Sequence, residues 1–435
     1  MSVRLHTKLL CSLVLMLPIT TWGALTPKSH IGLAGIDFQA KVNTEFGSDN
    51  NVTYQSDKND QIASDYYQLS PELKAIGERG DDRYLLMYQG KYRRYTNSSN
   101  DDYADHNFLA NGSWRFGLRH GLQLNLVQDF GHEDRGTELT EGFKNWQFES
   151  YGFDSVMPIK NTDSSIRYSY GALNARGKLS FLAQLKTFRY EDLNRIKEPN
   201  ISSSGDETLL EYAKKQEWNE STYLMELFDQ VSSDSRFRYT LLTNQRRYIN
   251  AHDKDSNEYY LIYGIKTHRT GKTLIDANIA WLYKEFLHKG SQDENFNGLN
   301  WDVMVEWKPV NYSSVTLSTS QRVKDPDESG GYVLVTKYGI AWQHSWWVDR
   351  LTTTLSYDYQ YDDYKNISYK REKNIKLISL GVGYDFRPSI SLGLKYTDKV
   401  FDSTPDEIDF GHSPVGLRNL DYDKSQVVAT LKVQI

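Results

Sequence analysis

A set of basic residues recurs at alternate positions in segments whose intervening residues are apolar or aromatic. Between residues 83 and 93, for example, Arg83, Lys91 and Arg93 alternate with Tyr84, Leu86 and Tyr92. Because successive side chains of a strand point to opposite faces, such a segment has one cationic and one apolar face. The same phase assigns these residues to the cationic face: Arg83, Lys91, Arg93, Arg115, Arg167, Lys178, Lys186, Arg236, Arg238, Lys266, Lys337, Lys395 and Lys432.

Acidic residues are fewer on this face than in the chain as a whole, whose formal net charge is −6. They are Asp129, Asp276, Asp302, Glu306, Asp358 and Asp385. Most other acidic residues lie in connecting segments, such as 325–328 and 402–409. A basic interior would stabilise an anionic solute in a narrow, weakly screened channel. Alternatively, the charges pair across the interior and fill it, and the sequence leaves both interpretations open.

Residue combinations that could support catalysis or metal binding are poorly matched to those tasks. His412 stands next to Ser413, but adjacent residues do not readily hydrogen-bond as base and nucleophile, and no orienting acid is evident. The segment His132-Glu133-Asp134 lacks the second histidine of a zinc motif, and no Gly-x-Ser-x-Gly elbow occurs. The acidic segments lack the spacing of a calcium loop. We therefore predict no enzyme, no bound metal and no cofactor.

The elements that would position the basic face are strands, because apolar residues recur with period two from Ile31 to Ile435. Eighteen strands are predicted near 31–46, 65–76, 83–95, 104–116, 121–131, 164–175, 177–190, 219–231, 236–248, 257–267, 272–285, 297–308, 312–323, 331–343, 350–361, 371–385, 388–400 and 424–435. The alternation slips phase near Tyr151, so residues 146–159 are assigned to a folded loop. Sixteen strands is the alternative count.

Tight turns and long polar connections alternate between these strands. The predicted turns lie at 78–81, 119–121, 232–235, 270–271 and 387–389, and the long connections at 47–64, 132–163, 191–218 and 401–423. This asymmetry, an even strand count and a C-terminal strand predict an all-β, transmembrane, antiparallel up-and-down β-barrel with both termini in the periplasm. A soluble sandwich or propeller fits less well, because the apolar faces are rich in Tyr and Trp and no blade-length repeat occurs.

The N terminus has the order of a cleavable signal peptide: Arg4 and Lys8, an apolar run from Leu9 to Ile19, and a cleavage site after Gly23. The predicted domains are therefore a signal peptide, 1–23, and an outer-membrane barrel, 24–435. The only cysteine, Cys11, would be removed. The mature chain would be more acidic still, which argues against a nucleic-acid partner. The expected location is the bacterial outer membrane, in contact with its lipid and lipopolysaccharide.

Four segments resemble a known family: Leu69–Leu73, Tyr84–Tyr95, Asp101–His106 and Gly131–Thr137. These segments are similar to the putative β-barrel porin type 2 family, outer-membrane barrels often encoded with exopolysaccharide biosynthesis genes, and the likeness is strongest over about a quarter of the chain. The resemblance implies export of an exopolysaccharide that a periplasmic polysaccharide-export protein delivers to the barrel. Ile435 departs from the Phe common at the end of outer-membrane barrels.

The family-like motif comprises Gly131, His132, Asp134, Arg135 and Gly136, where the fifth strand enters the long third loop. This motif either fixes that loop over or into the lumen or contacts polymer. The leading hypothesis for the chain is export of an exopolysaccharide, which is a polymer that can itself be anionic. The alternative is a diffusion porin for small anionic solutes or oligosaccharides, and a third class is a surface lipid-modifying enzyme.

Overall fold

The computed structural model describes residues 35–172, 174–197, 207–269, 271–288, 295–325, 331–365, 370–409 and 416–434. The predicted signal peptide, Cys11, the His412-Ser413 pair and Ile435 lie outside these residues. In the described part of the chain, no helix is long and apolar enough to cross a membrane.

Eighteen long strands form a single antiparallel sheet, which agrees with the higher predicted strand count. Two further short strands, Glu407–Asp409 and Leu417–Asn419, pair with each other in a small separate sheet. The strands are β1 (Ile36–Asp49), β2 (Ser64–Arg79), β3 (Asp82–Tyr95), β4 (Tyr103–Phe116), β5 (His120–Glu133), β6 (Met157–Tyr170), β7 (Gly177–Tyr190), β8 (Trp218–Gln230), β9 (Ser235–Tyr248), β10 (Ser256–Arg269), β11 (Thr273–Phe286), β12 (Phe296–Val310), β13 (Ser313–Lys324), β14 (Tyr332–Trp346), β15 (Leu351–Lys365), β16 (Glu372–Arg387), β17 (Ile390–Thr404), β18 (Glu407–Asp409), β19 (Leu417–Asn419) and β20 (Tyr422–Gln434). Two short helices are α1 (Asn145–Ser150) and α2 (Leu209–Lys215).

The sheet closes on itself because the first and last long strands pair. Each long strand pairs with its neighbours in the chain, and β20 pairs with both β17 and β1. Lys41 lies opposite Gln434 across the closing seam. Closure satisfies the backbone groups that an open edge would leave unpaired in lipid. A barrel of this strand number encloses an interior wide enough for an aqueous channel.

The predicted alternation is visible in the exposure of the strand residues. Large apolar side chains on one face are exposed on the outside of the barrel, for example Leu86 on β3 and Leu261 on β10, each more than 60% exposed. Their sequence neighbours on the same strands point to the interior. The outer surface is therefore apolar over the middle of the strands, as a lipid-facing barrel requires.

The two ends of the barrel differ. At one end, here called the turn end, tight turns join the strands, and both Ile36 and Gln434 lie there. At the other end, the loop end, longer connections carry both helices and the β18–β19 pair. One predicted turn was misplaced: the chain reverses at 117–119, before His120, because Gly117 adopts the positive φ of +63° that the turn requires.

The sixth strand was also misplaced, since it begins at Met157 and not near residue 164. Met157 and Ile159 face the interior and pack into a buried apolar cluster. Apolar residues therefore occupy the inner face at the loop end of β6, which inverts the phase on which the prediction relied. The phase slip near Tyr151 has another origin, because α1 ends there.

The loop-end connections share an apolar core of their own. It joins the β5–β6 loop (residues 134–156), α2 of the β7–β8 loop and the ends of β7, β8 and β9. Phe143, Phe148 and Phe153 of the first loop are each 1% exposed, and Leu209 and Ala213 of α2 pack against the same cluster. These loops thus form a folded unit that packs on the ends of β7, β8 and β9.

Candidate functional site

The predicted basic residues lie on the inner face by the register of their strands. Arg83, Lys91 and Arg93 alternate along β3 with the exposed Tyr84 and Leu86. The same rule holds on the other strands for Arg115, Arg167, Lys178, Lys186, Arg236, Arg238, Lys266, Lys337 and Lys395.

Two inward acidic residues pair with some of these charges: Asp276, which the sequence analysis placed on this face, and Glu226, which it missed. Arg167 lies 3.5 Å from Glu226, and Arg238 and Lys266 each lie 3.1 Å from Asp276. Glu226 has the same inward phase on β8 that was used for the basic residues, so the signal was present in the sequence. These three pairs join strands one or two positions apart, so they neutralise part of the wall locally, whereas the interpretation left open had charges pairing across the interior.

Two predicted arginines have structural contacts. Arg115 donates hydrogen bonds to the carbonyl oxygens of Leu118 and Gly171, 2.7 and 3.2 Å away, and so ties two turns together. Arg93 lies over the ring of Tyr66, with 4.0 Å from the guanidinium carbon to the ring centroid, and donates to Gln68. Arg83 makes an exposed ion pair of 3.5 Å with Glu78 at the turn end.

Several inward lysines in the described part of the chain make no direct ion pair, although carboxylates lie farther away in the same interior. Lys178, Lys186, Lys337 and Lys395 have no carboxylate oxygen within 4.0 Å among the described residues. They lie on β7, β14 and β17, so they are distributed around the wall. A small anion that enters the lumen meets these ammonium groups without having to displace a bound carboxylate.

A buried charge network closes one side of the loop end. Arg246 contacts Glu220 at 2.6 Å and Asp325 at 2.7 Å. Lys284 contacts Glu258 at 3.0 Å and also contacts Asp325. Asp325 follows β13 and reaches β9, four positions away around the ring. Burial alone would raise the pKa of Asp325, but the charges of Lys284 and Arg246 outweigh it and hold that pKa well below its usual range.

Arg246 and Lys284 have the inward phase and were nevertheless not predicted. Lys284 lies between Leu282 and Phe286, which face the interior and are buried. At the loop end the inward residues are apolar as well, so the alternation of apolar and polar residues no longer distinguishes the two faces of the strand. The same is true at the start of β6.

The β5–β6 loop crosses the barrel opening and is held on the far side. Glu141 accepts two hydrogen bonds from the ammonium group of Lys373, at 2.8 and 3.1 Å. Lys373 belongs to β16, which is seven positions from β5 around the ring. Arg418 of β19 donates to the carbonyl oxygen of Leu139, 3.3 Å away. The loop therefore narrows the opening at the loop end.

The family-like motif forms the base of this loop. His132 lies 2.6 Å from Asp105 and 3.1 Å from Asp134, and its ring stacks on Tyr103 at 3.9 Å. Burial would raise the pKa of Asp134, but the hydrogen bond and charge of His132 hold it well below its usual range. These contacts anchor the loop to β4 and β5.

The rest of the motif continues the anchor. Arg135 binds both carboxylate oxygens of Asp101, at 2.8 and 2.6 Å, in a buried bidentate pair. Gly136 has φ +90°, and a Cβ there would fall on the carbonyl oxygen of Thr53 in the β1–β2 loop (residues 50–63). Gly131 leaves space beside Asp129 and Ile159. Of the two roles considered for the motif, these contacts favour fixing the loop.

Cations and aromatic rings alternate in a largely buried group next to this base, where Tyr54 of the β1–β2 loop donates to Asp134. Lys424 lies 3.8 Å from the ring centroid of Tyr54, and Tyr54 packs edge-on against Tyr422 at 5.1 Å. Tyr422 stacks on Phe401 at 5.0 Å, and Lys373 lies over Phe401. We call Tyr54, Tyr422, Phe401, Lys373 and Lys424 the cation–aromatic wall. None of its lysines was predicted from the sequence.

The solved structures that match this chain include proteins of Pseudomonas aeruginosa and Acinetobacter baumannii. OpdQ of Pseudomonas aeruginosa matches with a TM-score of 0.48 and 10% identity, covering 92% of this chain and 98% of that one. OccK1 (OpdK) of the same organism matches with a TM-score of 0.49 and 9% identity, covering 92% of this chain and 99% of that one. OccAB3 of Acinetobacter baumannii matches with a TM-score of 0.47 and 11% identity, covering 92% of this chain and 99% of that one. No curated protein matches the sequence.

The family comparison covers nearly the whole described barrel. The model of the family described as Putative beta-barrel porin 2 matches residues 38–434, from β1 to the end of β20. With a closed barrel of eighteen long strands that encloses a charged interior, this match shows that the chain belongs to the Putative beta-barrel porin 2 family.

Proposed function

We propose that this porin is an outer-membrane channel through which small anionic solutes, including acidic sugars and oligosaccharides, diffuse. The observation that carries the proposal is the set of inward lysines without a carboxylate partner, Lys178, Lys186, Lys337 and Lys395. An unpaired ammonium group in a partly desolvated lumen lowers the energy of an anion there and raises the energy of a cation.

The narrowed opening at the loop end supports small solutes over a polymer. A chain of wide cross-section could pass only if the β5–β6 loop moved aside. That movement would break the Glu141–Lys373 pair and expose the aromatic core beneath the loop. Breaking a buried ion pair costs about 3–5 kcal/mol when one charge is left buried and unpaired.

The test compares two solutes that differ in one carboxylate. Proteoliposomes that contain the full-length protein should take up glucuronate faster than glucose, because the sugars have a similar size and only one is anionic. Equal rates, or faster uptake of glucose, would refute an anion-selective channel. A protein denatured before reconstitution provides the control for leakage.

Export of an exopolysaccharide delivered by a periplasmic polysaccharide-export protein is the second candidate. The cation–aromatic wall could stack against sugar rings only after the loops moved, because its rings are largely buried and its lysines already pair with Glu141 and Asp49. Deletion of the gene separates the candidates. If surface polysaccharide and biofilm stay unchanged while uptake of an anionic sugar falls, the export candidate fails.

A further inference from the structure

The outer face of strands β6 to β10 combines a cationic row and an apolar groove. At the loop end, outward positions on five consecutive strands are polar or basic: Lys160, Arg189, Asn219, Arg247 and Asn257. The register places Lys160 opposite Arg189 and Asn219 opposite Arg247. We call these five residues the outer cationic row. These residues lie on the same outer face as exposed apolar residues nearer the middle of the same strands, such as Leu241 and Tyr259.

The two arginines of the row are held in the same way. Arg189 donates to the carbonyl oxygens of Phe188 and Trp218, at 2.6 and 2.7 Å, and to the side chain of Asn219. Arg247 donates to the carbonyl oxygens of Arg246 and Ser256, at 2.7 and 2.8 Å, and to the side chain of Asn257. Each guanidinium is thus fixed by neutral groups across two strands.

The basic residues of the row make no direct ion pair in the described part of the chain. Among the described residues, no carboxylate lies within 4.0 Å of Lys160, Arg189 or Arg247. By contrast, Arg94 of β3 has a carboxylate partner, because it lies 3.7 Å from Asp102. Arg94 is also outward and one residue before the end of its strand. A fixed guanidinium with its charge available is a favourable site for the oxygen atoms of a phosphate group.

An apolar groove of about 660 Å³ lies on the same five strands. Its lining includes Ile166, Phe181, Ala183, Tyr223, Leu241 and Tyr259. Ala183 is small between larger neighbours and so leaves the depression. The groove reaches the row at Tyr259, two residues from Asn257, which is about 7 Å along an antiparallel strand.

We infer that this face holds one phosphorylated glycolipid of the outer leaflet, the lipid A part of lipopolysaccharide, with its phosphates on the outer cationic row and an acyl chain in the groove. The inference rests on the outer-membrane location proposed above. Any lipid chain can fill an apolar groove in a bilayer, so the headgroup must supply the selectivity. Arg189 and Arg247 are two strands apart, about 10 Å, so they offer two separate points for a lipid with two phosphates.

The experiment measures binding of purified bisphosphorylated lipid A to the full-length protein in detergent by native mass spectrometry. The double variant Arg189→Gln, Arg247→Gln should bind about tenfold less tightly, since each charged hydrogen-bond donor is lost. Arg94→Gln, the matched control at a neutralised position, should bind like the unmodified protein. Equal binding by the double variant would overturn the inference.

Three further arms separate the lipid from other anions and chains. Ala183→Phe should fill the groove and weaken binding several-fold without altering any charge. Lipid A without phosphates should bind as weakly as the double variant. Phosphatidylglycerol or inorganic phosphate that competes as well as lipid A would refute a specific glycolipid site.

Retained folding is checked by heat-modifiable migration of each variant. Arg189→Lys and Arg247→Lys keep the positive charge but lose the planar set of N–H donors of the guanidinium group, so we expect an intermediate affinity for lipid A. An affinity as low as that of the Gln variants would contradict a contribution from charge. Solute uptake by the double variant should be unchanged, so failure of the lipid site and failure of the channel proposal are distinguishable.

Discussion

Glu141 and Lys373 meet across the opening of the barrel, with the two carboxylate oxygens 2.8 and 3.1 Å from the ammonium nitrogen. One residue belongs to the β5–β6 loop and the other to β16 on the far side of the ring. The Lys373 side chain is 7% exposed and that of Glu141 is 17% exposed. This pair therefore helps to hold the loop in its extended position over the lumen, together with the contact of Arg418 with Leu139.

Removing one partner should widen the opening. In Glu141→Gln the ammonium group of Lys373 stays buried without its carboxylate, a cost of about 3–5 kcal/mol that movement of the loop would relieve. We expect larger single-channel conductance in planar bilayers and faster uptake of long oligosaccharides. Asp402→Asn, which breaks the exposed Lys376–Asp402 pair on the outer face, is the matched control and should leave conductance unchanged. Unchanged conductance in Glu141→Gln would show that the loop does not limit flow.

The apolar core of the loops should respond to a cavity without loss of the barrel. Phe148 is 1% exposed and packs against Phe143, whereas Trp146 in the same helix is exposed. Phe148→Ala should lower the free energy of loop opening by about 3–5 kcal/mol. Hydrogen exchange should accelerate in residues 134–156 and 207–217 and stay slow in the strands. Trp146→Ala should exchange like the unmodified protein, and an equal effect of both substitutions would argue against a shared core.

Gly136 should be far less tolerant of a side chain than another glycine with positive φ. Gly136 and Gly117 have φ of +90° and +63°, and only Gly136 has a neighbouring carbonyl oxygen where a Cβ would lie. Strain in this backbone region costs about 1–3 kcal/mol for either alanine variant. Gly136→Ala should lose more than that, and thermolysin should cleave its β5–β6 loop much faster. Similar cleavage of Gly136→Ala and Gly117→Ala would contradict the anchor.

Acid should open the loop end, and moderate changes of pH should not. The pKa values of Asp134 and Asp325 are lower in the folded protein than in the unfolded chain, where an aspartate has a pKa of about 3.9. Their stabilising contribution is complete above about pH 4 and is lost as the pH falls towards the folded values. Protease resistance of the loops should be constant from about pH 5 to 8 and fall below about pH 4.

Asp325→Asn provides the matched variant for that pH dependence. It leaves Arg246 and Lys284 without a shared carboxylate at every pH, so its loops should be cleaved at neutral pH several-fold faster than those of the unmodified protein. Loops of the variant that resist cleavage at neutral pH would exclude Asp325 as a determinant of the acid response.

The sequence predicts the barrel well because lipid imposes one rule on every outward residue. That rule identified eighteen strands and the inward phase of residues such as Lys337 and Lys395. It fails at the loop end, where Met157, Ile159 and Leu282 face inward against folded loops or buried neighbours. There the interior is apolar too, so alternation no longer separates the faces, and Arg246 and Lys284 were missed.

Contacts between distant loops could not be predicted from periodicity. Nothing in the local sequence of Glu141 indicates that it reaches Lys373, more than two hundred residues later, or that Tyr54 donates to Asp134. Such contacts depend on the closed ring, which brings the loops of separated strands over one opening. The family-like motif could be located from its residues, but its contacts required the three-dimensional arrangement.

Ion selectivity tests the basic lumen most directly. In planar bilayers with a potassium chloride gradient, the unmodified protein should show a reversal potential of anion-selective sign. Lys337→Glu with Lys395→Glu should shift it towards cation selectivity, whereas Lys376→Glu on the outer face should not change it. Cation selectivity in the unmodified protein, or a reversal potential that the double variant does not change, would contradict the account.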